Sequence, residues 1–213
     1  MTRPTKILLV DDHPIFRRGV CVLLNESGIQ CHVDEAGDGE TALALVRREQ
    51  WDMIILDVAL PDRHGLEVLR QIKELRPLLP VLMLTLYPER EFAIRALKAG
   101  AAGYVTKEQA PSELLCAISS IQAGHRYITS SLAEQLASYL VGGRRGRTYD
   151  RLSNREMEVL RLFGQGKTVS TIAEGLALSV KTVSTYRSRL LEKLRLSTTA
   201  ELVRYAIQHG LTA

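Results

Sequence analysis

Paired cysteines are missing from this chain. Its three cysteines, Cys21, Cys31 and Cys116, are odd in number and include no Cys-x-x-Cys, so neither a disulfide framework nor a zinc site is indicated. They are expected to be small core residues in a reducing compartment. Long apolar runs are missing too. After Met1–Lys6 comes only Ile7-Leu8-Leu9-Val10 before Asp11 interrupts, too short a run for a signal peptide or a membrane span. The protein is therefore expected in the cytoplasm, with no membrane partner. Phosphate-cradling glycine loops are absent as well. Gly37-Asp38-Gly39 completes neither the Gly-x-Gly-x-x-Gly nor the Walker spacing, which leaves nucleotide binding unsupported. No internal repeat or low-complexity tract of consequence is present, which excludes a solenoid.

What the chain does have is an ordinary globular composition, 46% hydrophobic and 24% charged, in a length that suits two small domains. The charge is unevenly divided. Residues 1–124 hold 14 Lys and Arg against 17 Asp and Glu, net −3, whereas residues 125–213 hold 14 against 7, net +7. A basic second half points toward nucleic acid or another anionic surface.

The first part alternates short apolar runs with amphipathic stretches, the pattern of a parallel sheet covered by helices on both faces. Strands are expected at Lys6–Val10, Cys31–Ala36, Met53–Leu56, Val81–Leu84 and Gly103–Val105. Helices are expected near Ile15–Glu26, Glu40–Arg48, Gly65–Leu75, Glu89–Ala99 and Ser112–Ala123, with a further one near Leu132–Leu140. The run Val141–Asp150, rich in Gly and Arg, breaks every periodicity and is expected to be a solvated linker. Beyond it the pattern is all helical. Ser153-Asn154-Arg155-Glu156 is a capping box that starts a helix running to about Phe163. A short helix at Thr168–Leu176 and a tight turn at Ala177-Leu178 follow, and Ser179 caps a longer helix to Leu194. Thr198-Thr199-Ala200-Glu201 starts a last helix.

The carboxyl ends of parallel strands line one crevice, so residues far apart in sequence converge there. Asp11 and Asp12 end the first apolar run, Asp57 the third, Thr85 the fourth and Lys107 the fifth. Three carboxylates, a hydroxyl and an ammonium suit one hard divalent cation, Mg²⁺ or Mn²⁺, held with one phosphoryl group. Asp12 and Asp57 are expected as direct ligands, with Asp11 acting through water. Asp57 is the expected nucleophile, Lys107 would neutralise phosphoryl oxygens, and the Thr85 hydroxyl would donate to one of them. His13 and His64 lie in the same loops but are not expected as ligands, because magnesium disfavours imidazole.

On Val10-Asp11-Asp12-His13-Pro14, Leu56–Asp62, Leu84-Thr85 and Gly100–Lys107, residues 5–123 resemble the receiver domain of bacterial two-component response regulators. The resemblance implies a doubly wound, flavodoxin/CheY-like fold and a sensor histidine kinase that phosphorylates Asp57. It also implies that the Ala59 carbonyl completes the metal site. Thr85 and Tyr104 would form a switch in which the hydroxyl moves toward the phosphate and the aromatic ring turns inward.

In the helix Ser179–Leu194, Val183, Leu190 and Leu194 share one side, with Tyr186 flanking. Lys181, Ser184, Thr185 and Ser188 share the other. Short hydroxyl side chains suit close approach to base edges, whereas Lys181, Thr182, Arg187 and Lys193 are placed to meet phosphates. A short helix and a turn before it make a helix-turn-helix. The region from Leu152 to about Gly210 resembles the C-terminal domain of the LuxR/FixJ/NarL family, on Leu152–Leu160, Gly166-Lys167-Thr168, Ile172-Ala173, Leu178–Val183, Leu191–Leu194 and Ala200-Glu201-Leu202. Tyr186, where a histidine is more common, and Val169-Ser170-Thr171 depart from the family pattern.

Together the two resemblances imply a receiver domain over 1–124, a connecting helix and linker over 125–151, and an all-α, four-helix LuxR-type domain over 152–213. The implied function is a transcription regulator that binds double-stranded promoter DNA as a homodimer after phosphorylation of Asp57; RNA polymerase is a further partner left open. Two rivals stand beside it, an enzyme using Asp57 as a nucleophile and a DNA-binding regulator indifferent to phosphorylation.

Overall fold

Four of the five strands of the first unit are almost wholly apolar, and a strand buried on both faces has no room for alternating polar residues. In the computed structural model, which describes residues 3–86, 89–141, 152–176 and 178–211, they are β1 (Thr5–Val10), β2 (Cys31–Ala36), β3 (Met53–Leu56), β4 (Val81–Thr85) and β5 (Gly103–Thr106). All pair in parallel in the order β2-β1-β3-β4-β5. The polar strand β2 lies at an edge, where exposed charged side chains discourage pairing with another chain.

Helices α1 (Pro14–Glu26), α2 (Gly39–Arg48), α3 (Gly65–Leu75), α4 (Glu89–Lys98) and α5 (Ala110–Gln122) connect and cover the strands. One face buries Ile7, Leu9, Met53, Ile55, Leu82, Leu84 and Val105 against Val20 and Leu24 of α1 and the Ala117, Ile118 and Ile121 stripe of α5. Residues of alternate register, Leu8, Val10, Ile54, Leu56, Met83 and Tyr104, are buried on the other side, with apolar residues of α2, α3 and α4. Each fully buried aliphatic side chain contributes about 1.5–3 kcal/mol. The chain order reverses between β1 and β3, and at such a reversal the loops after the two strands diverge and leave a crevice.

The chain divides into two compact units, Met1–Ser138 and Tyr139–Ala213. The first runs past the expected end at residue 124. The Tyr127 N–H donates to the Ala102 carbonyl at 2.9 Å, Tyr127 bridges to Gly103, and Leu132 of α6 (Ser130–Val141) is fully buried. Of the expected linker Val141–Asp150, Val141 is the last residue of α6, and the rest lies outside the described residues, as does Ala177 of the expected tight turn.

The second unit consists of α7 (Asn154–Gly164), α8 (Val169–Gly175), α9 (Val180–Leu194) and α10 (Thr199–Gln208). Its caps follow the sequence. Ser153 Oγ accepts from the Glu156 N–H at 3.2 Å while Glu156 Oε2 accepts from the Ser153 N–H at 2.7 Å. Thr198 and Glu201 form the second such box, and Thr168 and Ser179 cap α8 and α9. The oxygen Glu156 Oε2 also accepts from Lys193 Nζ at 2.7 Å, tying the start of α7 to the last turn of α9. Burial alone would raise the Glu156 pKa, but the Lys193 ammonium and the Ser153 groups outweigh it and hold the carboxyl below its usual range. Among the described residues no helix is long and apolar enough to cross a membrane.

A Cβ at Gly65 would lie 2.0 Å from the Asp57 carbonyl oxygen and 2.7 Å from Val58 Cα, backbone that cannot swing aside. Gly65→Ala should cost the first unit about 1–3 kcal/mol or more in urea unfolding. Gly19→Ala, on the exposed side of α1 with nothing within 4 Å, should instead add about 0.5–1 kcal/mol. In the second unit, an acid with a lowered folded pKa contributes stability above its unfolded pKa and loses it as pH falls through the folded one. Glu156→Gln should therefore cost roughly 1–2 kcal/mol at neutral pH. Calorimetry should show that deficit shrinking toward zero as the medium is acidified below the ordinary glutamate range.

Candidate functional site

Four loops at the carboxyl edge of the sheet bring the predicted residues together. Asp11 follows β1, Asp57 follows β3, Thr85 ends β4 and Lys107 follows β5; all four are buried. Lys107 Nζ lies 2.6 Å from Asp11 Oδ2 and 2.6 Å from Asp57 Oδ2, so one ammonium bridges two carboxylates. The other oxygen, Asp57 Oδ1, accepts from the N–H groups of Val58 at 2.6 Å and Ala59 at 3.2 Å. The Thr85 hydroxyl donates to the Asp57 carboxylate as well.

Burial pushes the Asp57 carboxyl above its usual range and Asp11 pushes the same way; Lys107 and Thr85 pull down without prevailing. For Lys107, burial works against the charged form, yet Asp57 and Asp11 hold its pKa above the usual lysine value. Among the described residues the buried site holds two carboxylates, a third at its rim and one ammonium, an excess of negative charge. It gains from an added cation.

The ligand atoms of Asp11, Asp12, His13 and Asp57 all lie within 4.8 Å of one another. Three carboxylates form an acidic cluster of the kind that binds a hard divalent cation. His13 is drawn into the cluster, its Nδ1 2.6 Å from Asp12 Oδ1 and 3.2 Å from Asp11 Oδ1, while its backbone N–H donates to Asp11 Oδ1 at 2.8 Å. His64 is elsewhere engaged: it is fully buried, its Nδ1 accepts from the Leu66 N–H at 3.2 Å, and its ring stacks on Phe92. Ala59 bridges to His64 across the loop after β3. Tyr104 is fully buried.

Arg17 was missed by the sequence reading. From α1 it donates through Nη1 to the Asp11 carbonyl at 2.6 Å and through Nε to Glu35 Oε2 at 2.5 Å, pinning the loop that carries the acidic pair. Asp62 does the same for the loop after β3, accepting from the N–H groups of Gly39 and Glu40 at the start of α2, both at 2.9 Å.

On α9 the partition of faces is mostly as expected. Val183, Leu190 and Leu194 are buried, while Lys181, Thr185 and Ser188 are exposed and Thr182 and Ser184 are half-buried. The hydroxyls of Thr185 and Ser188 donate back to the Lys181 and Ser184 carbonyls at 3.0 and 3.1 Å. Ser179, Lys181, Thr182, Thr185, Tyr186 and Arg189 line a shallow open concavity. Arg189, also missed, could have been found eight residues beyond Lys181 on the same stripe.

Two expected phosphate contacts sit differently. The Lys193 ammonium is engaged by Glu156, as described above, with the lysine side chain 40% exposed. Arg187 falls at the spacing of Val183 and Leu190; it is half-buried, and its Nε is shielded from solvent.

Comparison with known proteins accords with this geometry. Residues 7–119 match the family described as the response regulator receiver domain, and residues 150–206 match the bacterial regulatory proteins of the LuxR family. The response regulator UvrY of Escherichia coli (strain K12) is 38% identical over 207 residues, covering 96% of this chain and 94% of that protein. The response regulator GacA of Pseudomonas aeruginosa is 37% identical over 208 residues, covering 97% of each. Among solved structures, RcsB from Salmonella enterica serovar Typhimurium, bound to promoter rprA in the presence of the phosphomimetic BeF3-, matches with a TM-score of 0.63 and 27% identity over 95% of this chain and 98% of that one. The chain belongs to the two-component response regulators that join a receiver domain to a LuxR-family helix-turn-helix domain, and is a transcriptional regulator rather than an enzyme.

Proposed function

We propose that this regulator is phosphorylated on Asp57 by a sensor histidine kinase, and that the modification governs binding of promoter DNA by α9. The observation that carries this reading is the single Lys107 ammonium 2.6 Å from both Asp11 and Asp57, with the Thr85 hydroxyl on the same Asp57 carboxylate. A carboxylate oxygen of Asp57 attacks the phosphorus of the donor, the bond from phosphorus to the donor's leaving group breaks, and an acyl phosphate forms. Lys107 neutralises the transferred oxygens as a compact charge, and the Thr85 hydroxyl donates to one of them.

The acidic cluster fits Mg²⁺, with Mn²⁺ as a substitute. Asp12, Asp57 and the Ala59 carbonyl would hold it directly, with Asp11 through water. The metal supplies charge that offsets repulsion between Asp57 and the incoming phosphoryl group. Thr85 and Tyr104 form the switch, and the phosphoryl group favours the arrangement with the hydroxyl on the site and the ring inside.

On DNA, Ser184, Thr185 and Ser188 face base edges and Lys181 and Thr182 meet phosphates, with Arg189 added from the concavity they share. Arg187 and Lys193 hold the helix on its own domain more than they grip the duplex. Two copies pairing on two half-sites gain specificity that one small module lacks. RcsB, solved as two dimers bound to two parallel DNAs, supports that reading. The protein acts in the cytoplasm, where promoter DNA and the kinase's catalytic domain are accessible together.

Incubation with acetyl phosphate and Mg²⁺ should add one phosphoryl group by mass spectrometry, located at Asp57 and absent from Asp57→Asn. Labelling at another residue, or none, would contradict the assignment. Mg²⁺ alone should raise the receiver's melting temperature in wild type, by the equivalent of about 2.7 kcal/mol at a hundred times its Kd, and far less in Asp12→Ala.

For DNA, Lys181→Ala should weaken binding to all sequences alike and reduce the slope of affinity against salt by about 1. Ser184→Ala and Thr185→Ala should shift sequence preference instead, by roughly 1–3 kcal/mol at the bases concerned. Lys193→Ala should leave the salt slope nearly unchanged, since its charge is already paired. Equal salt effects from Lys181→Ala and Lys193→Ala, measured by fluorescence anisotropy, would contradict the partition.

A further inference from the structure

The Lys107 ammonium has a third neighbour besides its two carboxylates. Its Nζ lies over the ring of Phe16, 4.7 Å from the centroid. Phe16 stands in the first turn of α1, half-buried, and packs against the core cluster formed by α1, α5 and the strands between them. Lys107 itself is only 8% exposed, so the contact is made in a largely desolvated place. A cation over an aromatic face is held by the ring's quadrupole, and the attraction grows when water is excluded.

We propose that Phe16 is a positioning residue for the phosphoryl chemistry: its ring is a fixed seat that keeps the Lys107 ammonium at the site while the two carboxylates change partners. The inference rests on the reading of Asp57 as phospho-acceptor and of the acidic cluster as a divalent-cation site. Asp11 and Asp57 are the carboxylates that such a cation competes for, and Asp57 is the group that is modified. Each of Lys107's present anionic partners is therefore engaged elsewhere when the reaction proceeds. The Phe16 ring is neutral and offers no oxygen, so neither the cation nor the phosphoryl group displaces it. A lysine on four flexible methylenes would otherwise follow whichever carboxylate remained free.

A side chain that merely fills the edge of the core would occupy the same position, and the two roles respond differently to fluorine. Fluorination of the ring leaves its shape and apolar volume nearly unchanged but drains charge from its face. The test uses the full chain with phenylalanine carrying one, two or three fluorines at position 16, beside Phe16→Tyr and Phe16→Leu. The probe is beryllofluoride with Mg²⁺, its affinity followed by calorimetry, with a thermal melt of each variant as a check on folding. Selective ¹³C labelling of lysine reports the Lys107 ε-methylene shift in the free protein.

In wild type and Phe16→Tyr that methylene should be displaced upfield by the ring, and Phe16→Leu should lose the displacement. Beryllofluoride affinity should fall stepwise with each fluorine at constant melting temperature, be retained in Phe16→Tyr, and drop about 5- to 30-fold in Phe16→Leu. A flat affinity across the fluorinated series, in protein that otherwise binds beryllofluoride as wild type does, overturns the role of Phe16 and leaves the Asp57 reading standing. Wild type that neither binds beryllofluoride nor is labelled by acetyl phosphate overturns both.

Discussion

The contact on which the receiver depends is one buried ammonium shared between two buried carboxylates. Lys107, Asp11 and Asp57 leave three different strands, and only the parallel pairing of β1, β3, β4 and β5 brings their loops to one edge. Taking these charges out of water is costly, and buried ion pairs seldom repay that cost in stability. The raised pKa of Asp57 expresses the same imbalance, since burial of its carboxylate outweighs the help from Lys107 and Thr85. A site that is electrostatically unsatisfied by its own residues is one that an added cation and a transferred phosphoryl group can rearrange.

The surrounding structure restrains that site so that the rearrangement is local. Arg17 holds the Asp11 carbonyl, Asp62 ties the loop after β3 to the start of α2, and Gly65 lets α3 begin against the Asp57 backbone. Phe16 supplies the seat for Lys107. All four residues belong to helix first turns or to a loop, although the charged groups they serve follow strands. The helices are thus more than a cover for the sheet, because their first turns set the geometry of the crevice. In the second unit the Glu156 carboxylate works comparably: it caps α7 and engages Lys193, which fixes the last turn of α9 while the start of that helix stays exposed.

Much of this was legible in the sequence because it rests on local rules. Runs such as Ile7–Val10 and Ile54–Leu56 can be little else than buried strands, and an acid directly after two of them marks a crevice. The boxes at Ser153 and Thr198 state where two helices begin, and both form as read. What escaped was the destination of long side chains. Nothing within α9 shows that Glu156, 37 residues earlier, meets Lys193 across the helix packing. Arg17 and Phe16 belong to an amphipathic stretch whose spacing names its buried face but not the groups above it. Arg187 is the instructive exception. Its place four residues after Val183 and three before Leu190 put it on the packing stripe, a signal that its positive charge obscured.

Family membership gives the order of the two domains, and the proposed order of events starts from the unsatisfied charge at the sheet edge and runs through modification to DNA binding by the helix-turn-helix. The most direct test maps the DNA bound across the genome by wild type and by Asp57→Asn under conditions that activate the kinase. The account predicts discrete occupied sites for wild type that Asp57→Asn loses or occupies far more weakly. Indistinguishable maps would contradict it.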